Sequence, residues 1–283
     1  KAIYLNAKTG DVVGNININQ FAGSLTNFYA TADKDNNILF NNLCTGGGAK
    51  FIIWRVNGVS GTPEKYIEYA SNIAMGRKLS VIGSLDSDAI ITVPCQGTAG
   101  QFARWQVKGG LLVSTTPTFV TAQGMGSWGY NADLIYTDPT NVQSDYLAAY
   151  YATPRNLSWF DGKNNTIKAH GPEISGNWIQ NAVDYVVFNK TSYVLSNSVN
   201  SFTWGKDDNI YLFDMGAGTL SNQPLNFGAS GLDINGNYGG KAAGVQNANG
   251  TSDVALRVSA DGYYLYIYFM FTNGYVGCIR CDC

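Results

Sequence analysis

Two stretches decide the reading of this chain: AKFIIWRVNG, Ala49–Gly58, and GQFARWQVKG, Gly100–Gly109. Phe51, Trp54, Val56 and Gly58 of the first correspond to Phe102, Trp105, Val107 and Gly109 of the second, each pair 51 residues apart. Upstream of each lies another shared element. TADKDNNILFNNLC (Thr31–Cys44) and SLDSDAIITVPC (Ser84–Cys95) both carry an acidic turn, an apolar strand and then a cysteine. Acidic turns followed by apolar strands return at GKDDNIYLFDMG (Gly205–Gly216) and SADGYYLYIYF (Ser259–Phe269). A looser third copy, YLAAYYATPRNLSWFDG (Tyr146–Gly162), places Trp159 54 residues after Trp105, and Phe213 follows 54 residues after Trp159.

A fixed period near 52 residues marks a repeat architecture. Each unit holds several short apolar strands between turn dipeptides: Asn57-Gly58, Asp161-Gly162, Asp261-Gly262 and Asn273-Gly274. Such pairs permit positive φ in two-residue hairpins. The best helical candidate is Gly61–Ala74, with Thr62 as a cap and Pro63 in the first turn; it reads also as the outer strand of its unit. A four-stranded sheet has two apolar faces and is stable only when neighbours cover both. The expected fold is therefore all-β: a β-propeller of five blades, each of about four antiparallel strands. The expected blades are roughly 17–74, 75–122, 123–174, 175–226 and 227–283, in a single domain over 1–283. Residues 1–16 supply a spare strand expected to close the ring by pairing with the C-terminal blade. The rival, a β-sandwich, explains the strands but no period.

Composition narrows the partners. Charged residues make up 13% of the 283-residue chain, about half the usual share. The net charge of -2 and the lack of a Lys/Arg cluster exclude a nucleic-acid partner. No apolar run reaches the ~18 residues of a membrane span; Tyr263–Phe271 is too short and too aromatic. The N-terminal KAIYLNAKTG lacks the apolar segment of a signal peptide, so the chain is cytosolic or has lost a leader. The wealth of Asn, Tyr and Gly favours export. Five cysteines (Cys44, Cys95, Cys278, Cys281, Cys283) leave one unpaired. CIRCDC (Cys278–Cys283) suggests a metal knuckle, but four ligands are needed and the single histidine is far away in sequence. Cys44 and Cys95 each precede the repeated Trp by ten residues, as small buried side chains of a repeat would.

A second repeat lies in the loops ahead of each expected innermost strand. GSWGYNA (Gly126–Ala132), GNWIQNA (Gly176–Ala182) and GNYGGKA (Gly236–Ala242) share Gly, a small polar residue, Trp or Tyr, then Ala. GSLTNFYA (Gly23–Ala30) is a degenerate copy, and MGRKLSV (Met75–Val81) lacks the aromatic but carries Arg77 and Lys78. Trp128, Trp178 and Tyr238 would then lie on one face, with Asn131, Asn177, Gln180 and Asn237 beside them. Flat rings cover the apolar faces of sugars while amides pair with hydroxyls. The competing reading is that these aromatics wedge between blades.

Catalytic chemistry has few candidates. A serine or cysteine nucleophile would need His170, in KAHGPEI (Lys168–Ile174), which reads as a turn between blades. The acidic turns Asp33/Asp35, Asp86/Asp88 and Asp207/Asp208 hint at calcium, but lack the Gly and terminal Glu of an EF-hand loop. They read as hairpin turns whose carboxylates bond backbone N–H groups. Asp133, Asp184 and Asp253 fall early in innermost strands, where glycosidase carboxylates would converge. No metal or cofactor is expected.

FIIWRVNG (Phe51–Gly58), FARWQVKG (Phe102–Gly109), the turn ADKDNNILF (Ala32–Phe40) and the Asn/Gly/Tyr bias resemble the exported β-propeller proteins of gut Bacteroidetes, often surface lipoproteins. IYLNAKTGDVVG (Ile3–Gly14) is similar to surface-layer and quinoprotein-type propeller repeats. The resemblance implies export to the cell surface, a lipid anchor upstream and glycan capture, and carries no catalytic residue. The expected function is a monomeric, non-catalytic glycan-binding module, with Trp128, Trp178, Tyr238, the four amides and Arg77 as its ligand residues. The alternatives are a protein-interaction scaffold, or a glycoside hydrolase using Asp133, Asp184 and Asp253.

Overall fold

The structure is a computed structural model and describes residues 2–6, 8–16, 28–57, 62–76, 78–95, 101–121, 133–149, 157–170, 183–188, 191–198, 209–215, 221–225, 251–271 and 276–282. Among these every regular element is a strand, paired antiparallel, and no helix is long and apolar enough to cross a membrane. The chain forms two compact units. One comprises residues 1–121 and 139–142, the other 122–138 and 143–283.

The first unit begins with a separate hairpin, β1 (Ala2–Leu5) and β2 (Val12–Ile16), turned by Asn6, whose side chain accepts the Lys8 and Thr9 amides. Next, β3 (Phe28–Ala32), β4 (Asn37–Asn42), β6 (Ala49–Asn57) and β7 (Glu64–Ser71) form a four-stranded sheet. The two-residue strands β5 (Cys44–Thr45) and β8 (Ala74–Met75) pair with each other, and β8 pairs onward to β10 (Ala89–Cys95). That strand also pairs with β9 (Ser80–Gly83) and β11 (Gln101–Lys108). Beyond β11 lie both β12 (Leu111–Leu112) and β13 (Thr118–Thr121).

The β10 sequence AIITVPC is apolar on both parities, and all but Ile90 are buried. Strand β11 alternates from Ala103 on, sending Ala103, Trp105 and Val107 into the core and Gln106 and Lys108 to solvent. Phe51, Ile53 and Ile67 of the first sheet pack with Leu85, Ile91, Val93 and Trp105 of the second in one core. Each such buried aliphatic or phenyl side chain contributes about 2 kcal/mol. Phe51 stacks on Trp105 within it at 5.7 Å, and outside it Phe40 stacks on Trp54 at 5.5 Å.

The second unit contains three sheets. The first is β14 (Asp133–Tyr136), β15 (Tyr146–Ala149), β16 (Leu157–Asp161) and β17 (Thr166–His170). The second is β18 (Val183–Phe188), β19 (Thr191–Ser198), β20 (Asn209–Asp214) and β21 (Ser221–Leu225). The third is β22 (Thr251–Val258), β23 (Tyr264–Phe271) and β24 (Val276–Asp282). Strand β18 lies against both β14 and β22, so the first strands of successive sheets are neighbours; in the first unit β3 and β9 are neighbours likewise.

The sequence period marks one structural position. Trp54, Trp105, Trp159 and Phe213 all stand on the third strand of a sheet, opposite Phe40, Ile91, Leu147 and Val194 of the second. Trp54 and Trp105 are 2% and 1% exposed. Of the two readings of Gly61–Ala74, the outer strand is the one found: it holds β7, because Ile67 enters the core and the pairing from Ala49↔Ser71 to Arg55↔Glu64 satisfies its backbone. Two expectations need correction. His170 ends strand β17 rather than sitting in a turn, and its Nδ1 lies 2.8 Å from the Oγ of the fully buried Ser158. At Asp161-Gly162 the positive φ falls on Asn165 (57°), not on the glycine. Gly162 is there for room: an added Cβ would stand 1.7 Å from the Ser144 carbonyl oxygen. Asp261-Gly262 does use its glycine, at φ 79°.

Candidate functional site

The first strands carry the three carboxylates singled out by sequence. Asp133 opens β14, Asp184 is the second residue of β18 and Asp253 the third of β22. The side chains of Asp133 and Asp253 lie outside the described residues. Asp184 is 14% exposed, and its Oδ2 accepts the Leu256 amide and the Arg257 guanidinium, both at 2.8 Å. Its Oδ1 accepts the Tyr185 amide at 2.9 Å. This carboxylate therefore joins β18 to β22.

The proposed ligand residues Trp128, Trp178, Tyr238, Asn131, Asn177, Gln180, Asn237 and Arg77 all lie outside the described residues. Their positions along the chain can still be compared. Trp128 and Trp178 each precede a first strand by five residues, β14 and β18 respectively; Tyr238 precedes β22 by thirteen. The first two loops thus feed neighbouring strands in the same register, and the third does not.

The described acidic turns, Asp33/Asp35 and Asp86/Asp88, are local fasteners, while Asp207 and Asp208 lie outside the described residues. Asp33 Oδ1 accepts the Asp35 and Asn37 amides at 2.9 and 2.8 Å, and Oδ2 accepts Asn37 Nδ2 at 2.9 Å. Its Oδ2 also accepts the Leu85 amide at 2.8 Å, tying the first sheet to the second. Asp161 Oδ1 accepts the amides of Lys163 and Asn164. Carboxylates saturated by backbone donors have few lone pairs left for a cation. Among the described residues no group of three His, Cys, Asp or Glu could hold a metal ion.

Two polar clusters were not foreseen. Arg55 donates through Nη2 to Asn37 Oδ1 at 2.9 Å and to Asp86 Oδ1, while Asn37 Nδ2 bonds Asp86 Oδ2 at 2.9 Å. Asn37 first and Arg55 second hold the Asp86 carboxyl below its ordinary range. In the second unit Asp145 Oδ2 accepts Trp159 Nε1 at 2.9 Å and Lys168 Nζ at 2.8 Å, and Oδ1 accepts the Gly162 amide at 3.2 Å. Lys168 also sits 4.4 Å over the Trp159 ring. Burial pushes Asp145 upward, but Lys168, Gly162 and Trp159 outweigh it, leaving the carboxyl below its ordinary value. The repeated tryptophan, buried in the first two sheets, is half-buried in the third and donates there to a carboxylate, whereas Trp105 Nε1 donates to the Thr115 carbonyl. The residues announcing this, Asp145 and Lys168, are ordinary surface types with no pattern to distinguish them.

Cys44 and Cys95 behave as apolar packing, while Cys278 is half-exposed and the side chains of Cys281 and Cys283 lie outside the described residues. Cys44 and Cys95 are buried free thiols, donating to the carbonyls of Ala49 and Gln101. Burial pushes the Cys95 thiol up to about 12.

Solved structures share the fold. A DUF4623 family protein from Bacteroides eggerthii is similar with a TM-score of 0.53 at 12% identity, over 87% of this chain and 56% of its own. A triple arginine-to-alanine mutant of AofleA from Arthrobotrys oligospora is similar with a TM-score of 0.54 at 9% identity, over 90% of this chain and 69% of its own. The chain therefore spans little more than half the length of the Bacteroides protein. No curated protein matches it by sequence. A family model does, over residues 1–282, and the chain accordingly belongs to the domain-of-unknown-function family DUF8500.

Proposed function

We propose that this chain is a five-bladed β-propeller that binds glycans without catalysis, exported to the cell surface and working as a monomer. Support for the architecture comes from five successive sheets, four of them with an aromatic residue at the same third-strand position. Among the described residues the C-terminal sheet has three strands where its neighbours have four, which favours closure of the ring by an N-terminal strand.

The observation that carries the binding function is the pair of loops Gly126–Ala132 and Gly176–Ala182. Each brings a tryptophan five residues ahead of a first strand, and those strands are neighbours. Aromatic rings flanked by Asn131, Asn177 and Gln180 suit a ligand with CH faces and hydroxyls. Asp184, engaged with backbone and Arg257, has a structural task that favours binding over hydrolysis.

A glycan array probed with the purified protein tests this. Binding to defined saccharides that is lost in Trp128→Ala and Trp178→Ala supports the reading, and unchanged binding removes the site. An array with no signal leaves the protein-interaction scaffold as the better account. Saccharide cleavage abolished by Asp133→Asn or Asp184→Asn would convert the module into a hydrolase.

A further inference from the structure

Arg77 is the one cation among the residues proposed to touch the ligand. It lies outside the described residues, but both of its neighbours lie within them. Gly76 is buried and follows Met75, which pairs with Cys44 on one side and Cys95 on the other. Its φ of 97° strains any residue that carries a Cβ. An added Cβ would also stand 2.5 Å from Phe51 Cε2 and 2.6 Å from the Asn42 carbonyl oxygen. Both backbone groups of Gly76 are engaged. Its amide donates to the Pro94 carbonyl at 3.3 Å, and its carbonyl accepts from Asn41 Nδ2. On the other side of Arg77, the half-buried Lys78 holds its Nζ 5.1 Å from the centroid of the Tyr29 ring.

Asn41, the penultimate residue of β4, is 0% exposed. Its Nδ2 donates to the Asn42 carbonyl at 3.1 Å as well as to Gly76. Turning the amide over would set Oδ1 against two carbonyl oxygens, so the donor end is fixed. Oδ1 is buried with no donor among the described residues. A buried acceptor in that state is a net cost to the fold. An apolar side chain would avoid it. What the amide adds is its grip on Gly76, one residue beyond the last strand pairing of β8.

We propose that Asn41 is a positioning residue for the ligand site: through the Gly76 carbonyl it fixes where the chain leaves β8, and so presents Arg77 to the glycan. Tyr29, beneath Lys78, steadies the far side. The inference rests on the glycan-binding reading and names what holds one of its contacts. A side chain presented from a held backbone loses little entropy on meeting a ligand.

Hydrogen exchange of the whole chain, read by mass spectrometry of its peptides, tests the clamp without a ligand. In Asn41→Ala the peptide covering residues 76–79 is expected to exchange about tenfold faster or more, with the peptide covering β11 unchanged. Affinity for a saccharide found on the glycan array is expected to fall about tenfold in Asn41→Ala, and the double variant Asn41→Ala/Arg77→Gln is expected to bind no more weakly than Arg77→Gln alone. Tyr29→Leu removes the ring beneath Lys78 and keeps apolar bulk. It is expected to speed exchange of the same peptide, and it keeps the test open if Asn41→Ala does not fold. Exchange unchanged over residues 76–79, or raised equally in β11, overturns this inference alone, as does a loss of affinity that adds in full to that of Arg77→Gln. A blank array overturns the glycan reading, and with it the ligand role of the clamp.

Discussion

Replacing Asp33 with alanine isolates the contact that joins the turn between β3 and β4 to the second sheet. The Asp33 carboxylate is 7% exposed and accepts four hydrogen bonds. Alanine removes them all. The amide of Asp35, in an exposed turn, recovers water. The amides of Leu85, fully buried, and Asn37, 6% exposed, do not. Stranding a buried donor costs about 1–3 kcal/mol, so two of them, with some relaxation, predict a loss of about 2–5 kcal/mol. Denaturant unfolding followed by tryptophan fluorescence reads this as a lower midpoint at unchanged slope. Asp88→Ala is the internal control. That carboxylate is exposed and receives the Gly109 amide at 2.9 Å, so its loss should stay below about 1 kcal/mol. A loss below about 1 kcal/mol at Asp33, or equal losses at the two positions, would refute the claim that this carboxylate ties the sheets together.

Two further predictions follow from the same kind of contact. Asp145, held below its ordinary value of 3.8, stabilises the fold above that value and ceases to do so as pH falls through its lowered folded value. The melting temperature of Asp145→Asn should therefore lie below that of the native chain near neutrality, and the gap should narrow below pH 3.8; a constant gap would contradict the assignment. Cys44 and Cys95 should resist alkylation in the folded protein at about pH 8 and react on denaturation, as peptide mapping by mass spectrometry would report. Labelling of either at the rate of a free thiol would show that the core around it opens.

Much of the scaffold could be read from side-chain order because burial is periodic. Trp54 and Trp105 recur since each fills a buried slot on a third strand, and a slot of fixed volume accepts few residue types; Trp159 and Phe213 keep the register position on their own third strands. Cys44 and Cys95 recur for the same reason. What escaped reading depends on atoms meeting across sheets. Nothing in the sequence around Arg55 says that its guanidinium will grip Asn37 and Asp86, since such a pairing needs β4, β6 and the turn between β9 and β10 in place first. Gly162 carries the mark of a turn glycine, yet its role is set by the Ser144 carbonyl, eighteen positions away in chain order. Pro63 and Thr62 look like helix-starting residues, but the eight-residue segment after them is claimed by cross-strand pairing with β6, which outweighs local propensity. The residues proposed for ligand binding lie outside the described residues; in the sequence Trp128 and Trp178 stand at the same distance ahead of β14 and β18, and Tyr238 stands further from β22.

Asp33 and Asp184 each reach out of their own sheet to a backbone amide of another, Leu85 in one case and Leu256 in the other, across separations of 52 and 72 residues. The copies have therefore ceased to be interchangeable tiles. Excising one copy, or splicing in a duplicate, would leave such an amide facing a neighbour that lacks the matching acid. Changes in copy number in this lineage would have to arrive with a compensating carboxylate, which makes drift within each copy easier than gain or loss of a whole one.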